Sequence, residues 1–287
     1  MKDLITYIAK ALTDKPEQVT VSDCIINCGD DGIALKANLR RPCRDITVTN
    51  CFLNTRWAGI RIGPECSGGY SNITISNCVM RDVWGCAIKL QTWGYAVMEN
   101  ISFSNITMED VTGPIHLRIA GADRGKDISS ATMSASEDKQ NDAMFGVMRN
   151  IRFSGITARV IEKAPIADDD PERTVPVQAG EIRSCLSICG APEYPVEDVT
   201  FSDMRIEYAG GGTVEEAQRE VPDSVEGSSE LGGTPHPEYY AFGVMPAWGA
   251  FIRHARDIHM RNVTMVLKSP DARQEIELVN VDGFRRE

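Results

Sequence analysis

Two adjacent carboxylates lie between glycines near the start of the chain, in the sequence Gly29-Asp30-Asp31-Gly32. A pair of carboxyl groups can hydrolyse a glycosidic bond, because one protonates the leaving oxygen while the other activates a water molecule. Neighbouring side chains of a straight strand point to opposite sides, so both can face one cleft only from a turn, which the flanking glycines favour. Asp30 and Asp31 are therefore candidate catalytic residues, with an ordinary exposed turn as the alternative.

Basic and polar residues follow the acidic pair at a regular spacing. We expect them to line a groove and to hold sugar carboxylates or hydroxyls through charge-assisted hydrogen bonds, with solvated surface residues as the alternative. These candidate substrate-binding residues are Lys36, Arg61, Lys89, Gln91, His116 and Arg118. Trp57, expected to point outward above the acidic pair, adds a ring on which a sugar can stack, unless it packs beneath a loop.

A gapless repeat defines the elements that position these residues. The segments VTVSDCIIN, ITVTNCFLN, ITISNCVMR and ISFSNITME, which begin at Val19, Ile46, Ile73 and Ile101, superpose at steps of 27, 27 and 28 residues. Each alternates apolar and polar residues with a period of two, which predicts a strand. Weaker copies begin at Ile151, Val199 and Ile258. Regular strands without intervening helices predict an all-β fold, a right-handed parallel β-helix of about seven to eight coils.

Equivalent residues of successive coils stack about 4.8 Å apart in such a fold. One predicted ladder is Asp23, Asn50, Asn77 and Asn105, and another is Cys24, Cys51 and Cys78. We interpret both as structural rather than metal-binding, because the nine cysteines are an odd number and form no Cys-x-x-Cys motif. No metal and no other cofactor is predicted.

A second strand in each coil carries the candidate groove. Apolar residues such as Ile33 and Leu35, or Ile60 and Ile62, recur at the repeat step and must point inward. Their neighbours then point to solvent. One outward row is Ala34, Arg61, Lys89 and His116, and the next is Lys36, Gly63, Gln91 and Arg118. The prediction is a local basic cleft, with the acidic pair at one end, on a chain of net charge −11.

Charge and hydropathy narrow the choice of partners and compartment. The negative net charge argues against nucleic-acid binding. The sequence contains no run of about 18 apolar residues, the length that would indicate a membrane span. The start, Met1-Lys2-Asp3-Leu4, lacks the features of a secretory signal. Without such a signal the chain as given would be cytoplasmic, but the sequence leaves the compartment undetermined; we expect a monomer.

Three stretches interrupt the repeat, at 121–148, 161–182 and 210–242. Insertions of this length are typical of cleft walls or irregular loops. Asp168, Asp169 and Asp170 lie in the second of them, where a solvated acidic loop is favoured over a metal site. Residues 1–18 instead have the pattern of an amphipathic helix that caps the β-helix of residues 19–287.

The segments that carry the candidate site resemble glycoside hydrolase family 28, the polygalacturonase-like β-helices. The resemblance rests on the acidic turn, on TRWAGIRIG (Thr55–Gly63), on AIKLQTW (Ala87–Trp93) and on FGVMPAWGAFIRHA (Phe242–Ala255). It implies that Asp30 is the general acid and that Asp31 helps to activate the water. The first 18 residues resemble the start of small bacterial KH-domain RNA-binding proteins, but no Gly-x-x-Gly loop follows, so RNA binding is not implied.

The match to the family pattern is partial. The family histidine falls on Ala58, and the members of its Arg-x-Lys motif fall on Lys89 and Gln91. A third catalytic aspartate, in an Asn-x-Asp motif one coil upstream of the pair, has no counterpart in this sequence. The chain therefore resembles a family 28 β-helix that lacks its N-terminal coils, and we expect weakened hydrolysis.

Three functions remain to be compared. The favoured one is an inverting glycoside hydrolase that acts on a pectic or other uronate-containing polysaccharide or oligosaccharide. The alternative is a non-catalytic carbohydrate-binding β-helix, an eroded relative whose groove still holds sugar. A lyase would need Ca²⁺ held by several clustered carboxylates, and only two are visible in the cleft, so it is not favoured. The compartment stays open, because relatives in this family are often secreted.

Overall fold

The structure, a computed structural model, describes residues 17–37, 42–64, 66, 68–94, 96–121, 145–166, 177–223 and 238–287. Its strands belong to one 16-stranded sheet in which the named strands pair in parallel. The strands are β1 Glu17–Ser22, β2 Ile25–Cys28, β3 Ile33–Leu35, β4 Cys43–Thr49, β5 Phe52–Thr55, β6 Ile60–Ile62, β7 Tyr70–Val83, β8 Ile88–Trp93, β9 Val97–Val111, β10 Ile115–Ala120, β11 Val147–Val160, β12 Leu186–Cys189, β13 Val196–Tyr208, β14 Ala247–Leu267, β15 Gln274–Asp282 and β16 Arg285–Arg286. The helical elements are α1 Val214–Ala217 and two 3₁₀ turns, Ala179–Glu181 and Tyr239–Phe242.

The sheet is wound into stacks of strands from successive coils. One stack runs β1-β4-β7-β9-β11-β13-β14, and a second runs β3-β6-β8-β10-β12-β14. The long β14 belongs to both stacks, because its first part pairs with β12 and its second part with β13. The predicted parallel β-helix is thereby confirmed, and β16, which pairs with β14, adds the beginning of an eighth rung to the seven of the first stack.

The strand register agrees with the sequence repeat. Ile46 lies beside Ile73, and Ile73 lies beside Ile101, so the ungapped copies are in register. The weaker copies continue the same row through residues 151, 199 and 258. The apolar side chains of each strand point into the core. There, Phe103, Phe153 and Phe201 of successive coils stack with ring centroids 5.0 and 5.1 Å apart. The core is therefore a continuous column of like side chains.

The polar ladder lies at a corner where the backbone takes a left-handed conformation. Asp23, Asn50, Asn77 and Asn105 all have φ between 54° and 56°, a region in which Asn and Asp are enriched among non-glycine residues. Asn50 Nδ2 donates to Asp23 Oδ1 at 3.2 Å, and Asn105 Nδ2 donates to Asn77 Oδ1 at 3.3 Å. The predicted structural ladder is confirmed.

The predicted thiol ladder is also present. Cys51 and Cys78 are buried, whereas Cys24, in the first described coil, is half-buried. Each thiol donates to a carbonyl oxygen two residues earlier, at 3.2 to 3.3 Å. Burial raises the pKa of Cys51 to about 11, so this thiol is protonated at neutral pH.

The N-terminal and loop predictions are tested only in part. Glu17 and Gln18 belong to β1, so the predicted helix is wrong for these two residues; residues 1–16 lie outside the described part of the chain. The acidic run Asp168–Asp170 also lies outside it. Within the ranges that the structure describes, no helix is long and apolar enough to cross a membrane.

Described residues of the second and third insertions form a cover over the second stack. The 3₁₀ turns Ala179–Glu181 and Tyr239–Phe242 come from different insertions and pack against each other. A Cβ atom at Gly180 would lie 2.4 Å from the carbonyl oxygen of Tyr240, so only glycine permits this approach. The cover lies where the basic cleft was predicted.

Candidate active site

The acidic turn holds its two carboxylates in different surroundings. Asp30 is exposed, and its Oδ1 accepts the backbone N–H of Asp31 at 2.8 Å. Asp31 reaches the next coil, where Oδ1 accepts the N–H of Ala58 at 3.2 Å and Oδ2 lies 3.3 Å from Arg61 Nη1. A Cβ atom at Gly32 would lie 2.8 Å from the carbonyl oxygen of Gly59, so glycine is required where these coils meet. Of the two aspartates, it is Asp31 that joins the basic row directly.

The predicted rows of basic residues exist as register rows. Arg61 pairs with Lys89, Lys89 with His116, and His116 with Ser187. In the next row, Gln91 pairs with Arg118. The rows therefore run along the β-helix axis, one side chain per coil.

The expectation that these rows face solvent is wrong. Lys36 is half-buried, and the other five candidate residues are buried. Those five are Arg61, Lys89, Gln91, His116 and Arg118. The physical reason is the cover, whose side chains occupy the outer face of the second stack.

Glu238, just before one 3₁₀ turn of the cover, neutralises the first two cations. Its carboxylate bonds the guanidinium of Arg61 through Oε1 and lies 2.7 Å from Lys89 Nζ through Oε2. Burial alone would raise the pKa of Glu238, but the charges of Arg61 and Lys89 outweigh it and hold that pKa well below its ordinary value. We refer to Arg61 and Lys89 as the Arg61–Lys89 pair. Together with Asp31 and Glu238, the pair forms a cluster of two cations and two carboxylates.

Trp57 lies in the same cluster but not at its surface. Lys89 Nζ is 4.5 Å from the centroid of the Trp57 ring, and Tyr240 contacts this ring edge-on at a centroid distance of 5.6 Å. Trp57 is buried. Packing beneath a loop, rather than an open platform for sugar, is therefore the arrangement in this structure.

His116 and Gln91 are also held inside the covered face. His116 Nδ1 lies 2.7 Å from Ser187 Oγ in the neighbouring coil. Both His116 and Gln91 are buried. Direct contact between either residue and a sugar would require the cover to open.

A second cluster lies farther along the rows. Arg118, Cys189 and Arg253 occupy equivalent positions of β10, β12 and β14. The guanidinium carbons of Arg118 and Arg253 lie 4.6 and 5.4 Å from the ring centroid of Phe242. We refer to these two arginines as the Arg118–Arg253 pair.

The sequence did not reveal three residues of these clusters. One is Glu238, and another is Asp223, whose Oδ1 lies 3.4 Å from Arg253 Nη1. Both come from an insertion without periodicity, so no pattern in the sequence indicated where they lie. Arg253, in contrast, could have been found from the register of the repeat. Extending the row of Gln91 and Arg118 through Cys189 of β12 leads to it.

Comparisons with known proteins agree with the resemblance of the acidic turn and the following coils. A family model described as "Glycosyl hydrolases family 28" matches residues 13–135, a range that includes the candidate residues from Asp30 to Arg118. The resemblance to polygalacturonase-like β-helices is therefore confirmed over that part of the chain. It supports a polysaccharide-acting hydrolase or binder.

The other comparisons add little. No curated protein sequence matches the chain. Among solved structures, the A-module of the Azotobacter vinelandii mannuronan C-5 epimerase AlgE4 aligns with 92% of this chain and 77% of its own, at 12% identity. Its TM-score is 0.20, so this alignment carries no argument about the present fold or function.

Proposed function

We propose that this chain hydrolyses glycosidic bonds in a uronate-containing polysaccharide of the pectic type, with inversion. The observation that carries the proposal is the geometry of the acidic turn, where the exposed carboxylate of Asp30 lies next to Asp31, whose Oδ1 accepts the N–H of Ala58 in the next coil. It combines an accessible acid and a positioned carboxylate on one turn, within the residues that resemble family 28. The substrate is an anionic polysaccharide or oligosaccharide.

The two aspartates take different roles in this proposal. Asp30 protonates the glycosidic oxygen, because it is exposed and its Oδ2 is not engaged by the turn hydrogen bond that Oδ1 accepts. Asp31 holds the attacking water on the other face of the sugar ring, as inversion requires. The Ala58 N–H and Arg61 fix the orientation of the Asp31 carboxylate.

The covered face limits where an acidic sugar can bind. Glu238 already occupies the charges of the Arg61–Lys89 pair. A sugar carboxylate that entered there would have to displace a buried carboxylate and leave it unpaired, which is costly. We therefore propose that the sugar at the Asp30–Asp31 turn is recognised mainly through its hydroxyl groups.

One observation favours the alternative, a non-catalytic carbohydrate-binding β-helix. Asp31 is drawn into an ion pair with Arg61, and its side chain is only 10% exposed. A carboxylate held in this way activates water less readily than a free one. Under this alternative the chain binds glycans but produces no new reducing ends.

A reducing-sugar assay on a panel of pectic glycans distinguishes the two functions. We expect slow release of reducing ends by the natural chain and a further loss of about 10²–10⁴-fold in Asp30→Asn. Asp23→Asn is the matched control, because Asp23 lies in the same coil and has a φ of 56° that asparagine tolerates. Equal rates for the natural chain and Asp30→Asn would exclude Asp30 as the acid.

A further inference from the structure

The Arg118–Arg253 pair brings two buried cations to one place. The arginines are separated by one coil, in which Cys189 occupies the equivalent position. Their Cα atoms are thus about two strand spacings, or roughly 10 Å, apart. Both guanidinium groups contact the ring of Phe242, so the two charged ends converge over a single aromatic side chain.

Backbone carbonyl groups satisfy only part of this pair. Arg118 donates to the carbonyl oxygens of Gly190 and Asp223, and Arg253 donates to that of Val221 at 2.7 Å. Within the described residues, three donor groups of the pair have no acceptor: Arg118 Nε, Arg253 Nε and Arg253 Nη2. Both side chains are at most 2% exposed. Buried donors without acceptors are rare in folded proteins, and groups of this kind are suited to binding an anion or a water molecule.

The charges around the pair do not balance. Among the residues that the structure describes, the carboxylate in contact is that of Asp223, whose Oδ1 lies 3.4 Å from Arg253 Nη1 and 2.7 Å from His254 Nε2. Burial raises the pKa of the Cys189 thiol, so this residue adds no negative charge at neutral pH. Burial also lowers the pKa of Arg118 to about 10, and the charge of Arg253 acts in the same direction. Two cations therefore share one carboxylate in the described part of the chain.

Solvent reaches the edge of this cluster. The Asp223 side chain is 56% exposed, although the arginines that it contacts are buried. The cluster is therefore open to solvent at Asp223, the residue whose carboxylate contacts Arg253. Planar guanidinium groups suit a carboxylate, which accepts two parallel hydrogen bonds.

We propose that the Arg118–Arg253 pair binds a carboxylate of an acidic sugar residue, at a subsite separate from the Asp30–Asp31 turn. The identity of the ligand as a sugar carboxylate rests on the proposed function; the presence of an anion site does not. Arg253 lies outside residues 13–135, so this subsite extends beyond the part of the chain that the family model matches. The substrate is then recognised at two places along the β-helix axis. At the acidic turn it is recognised through hydroxyl groups, and at the Arg118–Arg253 pair through a carboxylate.

Calorimetric binding of digalacturonate, its methyl ester and inorganic phosphate tests the subsite. We expect digalacturonate to bind at least about 10-fold more tightly than its methyl ester, and Arg253→Gln to remove that preference, since one charge-assisted partner is lost. Arg256→Gln is the matched control, because Arg256 lies three residues away on β14 and makes a surface ion pair with Glu197. Arg253→Lys, which keeps the charge but loses the fork, should weaken binding less.

The outcomes separate this subsite from the hydrolysis itself. If Arg253→Gln binds digalacturonate as tightly as the natural chain does, or if the natural chain does not bind it, the proposal is overturned. Phosphate binding that depends on Arg253 and is not competed by digalacturonate would also overturn the sugar assignment, in favour of a free inorganic anion. Titrations are repeated in Asp30→Asn, so a chain without turnover can still confirm the subsite.

Discussion

The Arg61–Lys89 pair and the Arg118–Arg253 pair lie on the same covered face of the β-helix, and both consist of buried cations. They differ in the charges opposite them. The first pair faces the carboxylates of Asp31 and Glu238, whereas the second, within the described residues, faces one half-exposed carboxylate. The comparison teaches that a buried basic residue in a groove does not by itself indicate a ligand site. The balance of charge and hydrogen bonds decides whether the chain or a ligand completes the cluster.

This difference changes the interpretation of the basic rows. From the sequence alone, all members of the rows were equivalent candidates for binding an anionic sugar. The structure divides them, because Glu238 already acts as the anion for Arg61 and Lys89. The cations that still lack a full set of negative partners lie farther along the rows, around Arg253, which is three coils beyond Lys89.

The largest effect should follow from removing the internal anion of the first pair. We expect Glu238→Gln to lower the free energy of unfolding by about 3 kcal/mol, because Arg61 and Lys89 lose a carboxylate while staying buried. Denaturant titration at neutral pH measures this loss. Glu197→Gln, which removes the partner of an exposed arginine, should cost no more than about 1 kcal/mol. A Glu238→Gln variant as stable as the natural chain would contradict the charge balance described for this pair.

The repeat explains why much of the fold was predictable. Strand alternation, the inward apolar residues and the left-handed corner at residues such as Asn50 are local features that recur in every coil. The same register placed Arg61, Lys89 and Arg118 in their rows. These predictions needed only short-range rules and the stacking of like residues.

The cover was not predictable, because it depends on contacts between distant segments. Glu238 lies 149 residues after Lys89 and 177 after Arg61, in a stretch without periodicity. The pattern of alternation states which side of a strand a residue faces. It does not state whether solvent or another segment lies on that side, which is why the buried state of Lys89 was missed.

A smaller effect is expected in the pH dependence of stability, which tests the charge of Glu238 beside the Arg61–Lys89 pair. The folded chain holds the pKa of Glu238 below its ordinary value of 4.5, so its contribution to stability is present above that pH and is lost as the pH falls below it. The stability difference between the natural chain and Glu238→Gln should therefore be constant near neutrality. Below about pH 4.5 it should shrink by about 1.4 kcal/mol per pH unit. Unfolding curves of both proteins between pH 7 and pH 3 measure this difference, and a gap that does not change with pH would show that Glu238 is not the group responsible.

The smallest effect is expected where the chain supplies too little negative charge. Arg253→Met removes a buried cation whose charge is only partly balanced, and removing such a charge is favourable. This gain offsets the loss of the hydrogen bond from Arg253 to the carbonyl oxygen of Val221. We therefore expect the free energy of unfolding to stay within about 1 kcal/mol of that of the natural chain in a buffer without multivalent anions. Arg273→Met is the matched comparison, because Arg273 is equally buried but forms a complete ion pair with Asp271, and it should cost about 3 kcal/mol. Equal losses in the two variants would mean that Arg253 is as fully satisfied as Arg273, and the shortage of negative charge described for the Arg118–Arg253 pair would not hold.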